Sequence, residues 1–479
     1  MTIIRPRIHL LDAEHKKSIV EEAKHILETQ GIFLENKQAA NLFIEQGLNN
    51  EGERYFIPGD LVEKSLQSVP KEINLFDREG NKHLSLKGDE VHFDPGSAAI
   101  LILDENTGLV RDALKEDFIR FTKIVDQLKY IDAQSTSFVY SDVPNEAQDW
   151  HRLYIALRYG YKPVVTGTFR KESFQIMKEL LLACRSSEVE LAKKPLAIFD
   201  ACPSPPLRWS DLTTQSLIDA AQSGIPSEFV SMPLAGASAP ATLIGSITQH
   251  CAECLAGIVI VQLAKRGAPL IWGGSPAVFD MRQGTTPMGA IESMMINVGD
   301  AEIGKFLGLP THAYMSLSDS KIPDAQAGLE AGLGAIIAAL TGINMVSGPG
   351  MLDFESCQSI EKLLIDNEIV GMVKRFIRGI EDHGSPFAAD ILPDYEEKQE
   401  FLSHPTTLKF FRKEFFFPNM IIDRMTRELW KTSGSKSTRG RAKEYANKLL
   451  KKPSSQPIDE SLASELDKLA EEKLRSYRS

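Results

Sequence analysis

The chain has 479 residues, 43% of them hydrophobic, which is ample for a large core and more than one small domain. A net charge of −11, from 54 basic and 65 acidic side chains, argues against a general nucleic-acid binder. The five scattered cysteines (Cys184, Cys202, Cys251, Cys254 and Cys357) suggest no disulfide framework, and the first residues lack a secretory apolar core, so a soluble cytoplasmic protein is expected.

Residues 12–70 read as helices with short links: Ile19, Ala23, Ile26 and Leu27 recur at helical spacing, and Gly31 stops the first helix. Residues 73–110 read as strands and turns, with a hairpin-like connection around Asn106-Thr-Gly108. Seven times thereafter a short apolar run is followed by a break of small residues and a long helical stretch. The runs are 130–133, 163–166, 196–199, 228–232, 269–272, 311–315 and 343–346, and an eighth at 91–93 precedes them. Strands alternating with helices imply parallel βαβ units. The fold class is therefore α/β, a TIM (β/α)8 barrel over 91–384 with an N-terminal helical and β extension over 1–90 and a C-terminal, helical and partly basic extension over 385–479. The apolar helix near 240–265 carries Gln249, His250, Glu253 and Gln262, too many polar groups for a membrane span. Near the end, Phe401, Phe410, Phe411, Phe415, Phe416 and Phe417 crowd together and suggest packing on the barrel or a homo-oligomer contact. The basic run 431–452 and the mixed-charge end read as a solvated tail.

In such a barrel the site lies on the loops that follow the strands. Those loops are rich in small residues, and none holds a dinucleotide fingerprint or a Walker phosphate loop. Trp209, Trp272 and Tyr314 stand at or just beyond strand ends, with Phe93 and Phe354 as weaker additions. Such rings are either barrel packing or a cage for a quaternary ammonium. Arg208, His312 and Lys321 are candidates to pair with a substrate carboxylate, or members of structural ion pairs. No catalytic residue stands out. His250 and Cys254, four apart on one helix, invite a zinc reading, but buried cysteine without metal is the commoner outcome, and no metal is assigned.

Phe93-Asp-Pro-Gly, the stretch Leu103-Asp-Glu-Asn-Thr-Gly-Leu-Val-Arg-Asp112, the stretch Ser318-Asp-Ser-Lys-Ile-Pro-Asp-Ala-Gln-Ala-Gly328 and the helix opening Ser359-Ile-Glu-Lys-Leu-Leu-Ile-Asp-Asn-Glu368 resemble the trimethylamine methyltransferase superfamily over nearly the whole chain. The resemblance implies a TIM barrel that passes a methyl group from a methylamine to the cobalt of a separate corrinoid protein. The archaeal trimethylamine enzymes of that superfamily carry pyrrolysine in the barrel. This chain uses the standard twenty residues and is more similar to the branch that demethylates quaternary amines such as glycine betaine, proline betaine and carnitine. The expected cofactor is cobalamin (a corrinoid) on a partner protein or supplied free, with none tightly held by this chain. The expected partners are the quaternary amine and the corrinoid protein, with neither nucleic acid nor membrane. In that reading Trp272 and Tyr314, with Phe93, line the ammonium pocket, and Lys321, Arg208 or His312 holds the carboxylate. The rivals are a zinc-dependent methyltransferase acting on another methyl donor and a non-catalytic betaine-binding barrel.

Overall fold

The computed structural model describes residues 4–96, 98–454 and 456–477, and the side chains of all of these but 396–398. Eight parallel strands form its centre: β1 (His92–Asp94), β2 (Gln134–Ser135), β3 (Val164–Thr166), β4 (Ala197–Ala201), β5 (Ser227–Phe229), β6 (Leu270–Gly274), β7 (Thr311–Tyr314) and β8 (Met345–Ser347). They pair in chain order from β2 to β8, and β8 pairs with β1. The β1–β2 seam is bridged by the Asp132 and Ala133 N–H groups donating to the Phe93 carbonyl, and beyond the strands by a parallel bridge of Ala99 with Phe138. The helices between strands are α1 (Lys115–Gln127), α2 (Gln148–Tyr159), α3 (Lys171–Ala183), α4 (Asp211–Ser223), α5 (Leu243–Ala264), α6 (Ile291–Phe306), α7 (Ala325–Thr341) and α8 (Ile360–Ile377). The protein is thus α/β, with a TIM-like, nearly closed barrel of eight parallel strands carrying extra sheets and helices.

Local chemistry sets the helix ends. Ser210, Asp324 and Ser359 cap α4, α7 and α8 by accepting from Thr213, Ala327 and Lys362 N–H groups. Helix α5 is long and apolar enough by composition to cross a bilayer, but it is buried almost all round within the helical layer.

Inside the barrel the side chains form layers. The lowest is apolar: Ala133, Val165, Ile198, Ile271 and Met345 pack on Ile73, Leu75, Leu84 and Leu86. The last four come from the antiparallel hairpin Ile73–Phe76 and Lys82–Leu86, which plugs the amino-terminal end. Because side chains alternate along a strand, a residue two positions beyond an inward one also points inward. Ile198 is therefore followed by Asp200, and Ile271 by Gly273 and Ser275.

The same alternation sends the large rings outward. Trp272, between Ile271 and Gly273, is fully buried against α6, donating from Nε1 to the Asp300 carbonyl at 2.9 Å and meeting the His250 ring edge-on at 5.9 Å. A Cβ on Gly304 of α6 would come within 2.6 Å of this indole. Phe93 is likewise buried among helix residues. Trp209 packs edge-on to Phe229 at 5.9 Å, under Gly257 of α5. It sits in a short strand, Arg208–Trp209, that pairs with Ile32–Leu34 of the N-terminal extension.

The chain's end is docked, unlike the solvated tail the charge pattern suggests. Helix Thr438–Leu450 buries Ala442, Ala446 and Leu449 in the cluster that holds α1 and α8 residues. Helix Glu460–Arg475 buries Leu466 and Ala470 beside α2 and α3, and Asp467 accepts from Tyr154 Oη at 2.7 Å and Arg158 Nε at 2.9 Å. Of the phenylalanine-rich stretch, Phe416 packs on Tyr130, whereas Phe415 and Phe417 are exposed.

Trp272→Ala should lower stability by about 3–5 kcal/mol, the usual cost of emptying a buried aromatic site, read as a lower urea midpoint. An unchanged midpoint with weakened substrate affinity would instead put this ring at the site.

Candidate active site

A cavity of about 360 Å³ lies at the carboxyl end of the strands. Every strand or its following loop contributes to the wall: Ala98 after β1, Thr136 after β2, Gly167 after β3, Asp200 in β4, Val230 after β5, Ser275 after β6, Tyr314 in β7 and Glu355 after β8. Arg152 enters from α2, Ser216 from α4, and Phe169 and Cys202 stand at the exposed rim.

Beneath this cavity the barrel holds a polar layer. Asp94 Oδ1 accepts from Ser347 Oγ at 2.6 Å, Ser347 Oγ lies 3.0 Å from His312 Nε2, and that nitrogen lies 3.5 Å from Glu228 Oε1. Strand register sets Asp200 beside Glu228 and Ser347 beside Asp94. A serine has one hydrogen to give. If it goes to Asp94, His312 carries its proton on Nε2; if Asp94 is the donor, Ser347 turns toward His312. The run can therefore carry its hydrogens in either direction.

Burial governs the charge here. Desolvation raises Asp94 and Glu228 well above the usual carboxylate range, and the neighbouring Asp200 raises both further. Desolvation pushes His312 down to about 3, so its imidazole is neutral. Glu355 is pushed up to about 8 by burial and then by Asp319, and Asp319 itself up to about 6 by burial, against the Met288 and Gly289 N–H groups that donate to it. Arg152 is brought down to about 10 by burial, which leaves it charged. Its Nε donates to the Gln148 carbonyl at 3.0 Å and Nη1 to the Thr136 carbonyl at 2.6 Å, while the guanidinium lies 4.5 Å from the Phe169 ring centroid. Nη2 makes no hydrogen bond among the described residues.

Backbone strain gathers at the same end. Ala98, Leu207 and Ser316 adopt left-handed φ on the loops after β1, β4 and β7, and after β8 three consecutive residues do so, Asp353 (51°), Phe354 (55°) and Glu355 (67°). Each such residue costs roughly 1–2 kcal/mol, and strain of this kind clusters at functional sites. It turns the Glu355 side chain back toward the cavity.

Of the residues singled out from sequence, the structure brings together His312 and Tyr314, whose rings meet edge-on at 5.1 Å. Tyr314 lines the cavity and His312 lies in the polar layer. Phe93, Trp209 and Trp272 face the helical layer, for the reason of alternation given above. Arg208 lies over the Phe33 ring and pairs with Glu35 at 3.1 Å, on the N-terminal extension. Lys321 sits outside the cavity wall, 3.8 Å from the Phe354 ring centroid and 3.3 Å from Asp353. His250 and Cys254 are fully buried, with Cys254 Sγ 3.6 Å from the Gly273 carbonyl. Among the described residues they join no third ligand group able to converge on one ion; the grouping that does so is Glu381, His383 and Glu414, far along the chain. The residues that sequence reasoning passed over are Asp94, Arg152, Asp200, Glu228 and Glu355. For Glu228 a signal was present: a carboxylate opens the run 228–232 that reads as a barrel strand.

The trimethylamine methyltransferase (MTTB) family model matches residues 2–477. The chain belongs to this family. It is 30% identical over 454 residues to trimethylamine methyltransferase MttB of Desulfitobacterium hafniense (strain DSM 10664 / DCB-2), covering 94% of this chain and 91% of that one. It is 30% identical over 480 residues to MttB of Methanosarcina barkeri, covering 98% and 96%. It is 28% identical over 427 residues to the glycine betaine methyltransferase of Desulfitobacterium hafniense (strain Y51), covering 89% of each. The crystal structure of the monomethylamine methyltransferase MtmB of Methanosarcina barkeri superposes with a TM-score of 0.50 at 12% identity, covering 96% of this chain and 93% of that one, a likeness of fold. The chain is thus an MTTB-family methyltransferase.

Glu355 supplies a pH test. Its native pKa of about 8 exceeds that of an unfolded glutamate, so the native state holds the extra proton and stability falls as pH rises from about 4 toward 8. Glu355→Gln should flatten that fall in thermal midpoints measured across the window. Parallel curves for the two proteins would show that Glu355 ionises normally.

Proposed function

We propose that this MTTB-family methyltransferase moves a methyl group from a quaternary amine, glycine betaine in the first instance, to Co(I) of a corrinoid protein. The observation that carries this reading is the pairing, within one cavity, of a buried arginine with a wall of carboxyl groups. A quaternary ammonium has no hydrogen to donate, so it is recognised by negative potential and ring faces. Asp200 supplies the first, and Phe169 and Tyr314 the second. A betaine also carries a carboxylate, and Arg152 can offer to it Nη2, which makes no hydrogen bond among the described residues. This assigns to Arg152 the clamp role expected of Lys321, Arg208 or His312.

The reaction asks little covalent help of the protein. The donor nitrogen already carries its positive charge and departs as a neutral tertiary amine, so no leaving-group activation is required. Alignment of the N–CH3 bond with the incoming cobalt is the main contribution, and orienting two reactants supplies roughly 7–11 kcal/mol of barrier. A site at the strand ends, rimmed by Phe169 and Cys202, lets a large acceptor approach from outside while the carboxylate end is held within. The similarity to the glycine betaine methyltransferase of Desulfitobacterium hafniense supports the choice of donor.

The test is to mix the protein with Co(I) cobalamin and a panel of quaternary amines and follow methylcobalamin in the visible spectrum. Arg152→Lys loses the planar fork, and a hydrogen bond to a charged group contributes about 1.5–3 kcal/mol. The KM for glycine betaine should rise roughly tenfold or more while turnover of tetramethylammonium is little altered. Equal losses with both donors would remove the clamp, and absence of methylcobalamin with every quaternary amine would remove the donor class.

A further inference from the structure

Glu228 is the group this reading leaves without a task. It is fully buried in β5, and neither of its carboxyl oxygens has a hydrogen-bond donor among the described residues. Its carboxyl lies against that of Asp200, its register neighbour on β4. Two buried carboxyl groups in contact are satisfied when one carries a hydrogen that bonds the other. Burial and the charge of Asp200 both keep that hydrogen on Glu228. Asp200 in turn forms part of the cavity wall. A proton held in the polar layer is therefore one carboxyl group away from a bound substrate. Around the pair, Asp94 from β1 and Glu355 from the loop after β8 add acidic groups, Arg152 from α2 adds a positive charge, and His312 and the Tyr314 phenol from β7 complete the surroundings, His312 as a neutral ring. The thiol of Cys202 stands beyond β4 at the exposed rim.

When the N–CH3 bond of a quaternary amine breaks, its electron pair stays on nitrogen, and the new bond to the methyl carbon is made by the electron pair of the reduced corrinoid. The freed lone pair then lies beside the methyl group it has just lost and can attack it again. Resting on the quaternary-amine reading above, the geometry points to the Asp200–Glu228 pair as the acid that captures this lone pair. Glu228 gives its proton to the Asp200 carboxylate, and Asp200, on the cavity wall, delivers that proton to the amine nitrogen. One N–H bond forms, the Glu228 O–H bond breaks, the product leaves as an ammonium ion, and water restores the proton to the pair. Asp200, which touches the substrate, is the catalytic residue; Glu228 stores the proton.

The experiment uses the full chain with glycine betaine and Co(I) cobalamin at neutral pH. Asp200→Asn should retain the far-UV circular dichroism of the wild type and lose roughly tenfold or more in kcat, the usual scale for a positioned acid. Activity should return in proportion to added imidazolium or another small buffer acid, to which the wild type is indifferent. Should Asp200→Asn fail to fold, Glu228→Gln, which keeps the size and neutrality of the protonated acid, carries the same test. A folded variant as fast as the wild type, or one slowed but insensitive to buffer acid, overturns the proton-donor role. Wild-type protein that methylates no corrinoid from any quaternary amine overturns the donor reading itself and this proposal with it.

Discussion

Three carboxyl groups, from Asp94, Asp200 and Glu228, share the interior of one small barrel, and the rest of the site answers to that fact. An ionised carboxylate moved out of water costs several kcal/mol even after relaxation, so the layer keeps hydrogens on Asp94 and Glu228 and a neutral His312 between them. Apolar side chains of like size would fill the same positions at less cost. Their presence marks the layer as a functional expense, and the chemistry that benefits is binding a cation just above it. Arg152, itself fully buried, is the counterweight in the wall, held by two carbonyl groups and a ring face.

The fold keeps this layer rigid from both sides. Below, the hairpin plug gives the strands a buried apolar base. Above, the loops accept strained backbone, three left-handed residues in a row after β8, to aim Glu355 inward. Strain of that size persists where surrounding structure over-determines the conformation. Here the surroundings include the antiparallel pairing of Met351–Leu352 with Cys357–Gln358, which pinches the loop closed.

The barrel was legible because its strands are short apolar runs separated by helices of the right length, and the observed strands fall within a few residues of those runs. The site was less so, because a strand end identifies a neighbourhood but not a direction. Trp272 ends an apolar run and looks exposed to the mouth in sequence, yet it is one residue out of phase with Ile271 and Gly273 and so faces α6. His312 and Tyr314, two apart, share the inward phase. Parity within the strand, anchored on which residues meet the plug, would have sorted them. It would also have exposed Glu228 and Asp200 as inward acids. Arg152 and Glu355 had no such signal: one lies in the middle of an amphipathic helix and the other depends on backbone torsions that no pattern of side chains encodes. The terminal helix was hidden for a different reason, since its charges line a face that stays wet while Leu466 and Ala470 dock.

The cavity that results is lined mostly by small residues, with acids rather than a full aromatic cage on its walls. The tight packing of β6 shows how room is made: a Cβ on Gly273 would fall 2.4 Å from the His312 carbonyl oxygen. The negative charge of Asp200 binds a quaternary cation well but opposes the loss of positive charge as its methyl group departs, and ground-state attraction of that kind slows the step unless something compensates. A proton delivered to the same nitrogen restores a cation where the field favours one. The acidic wall that would hinder methyl departure thereby favours the state that follows it, and one set of groups serves both binding and commitment to product.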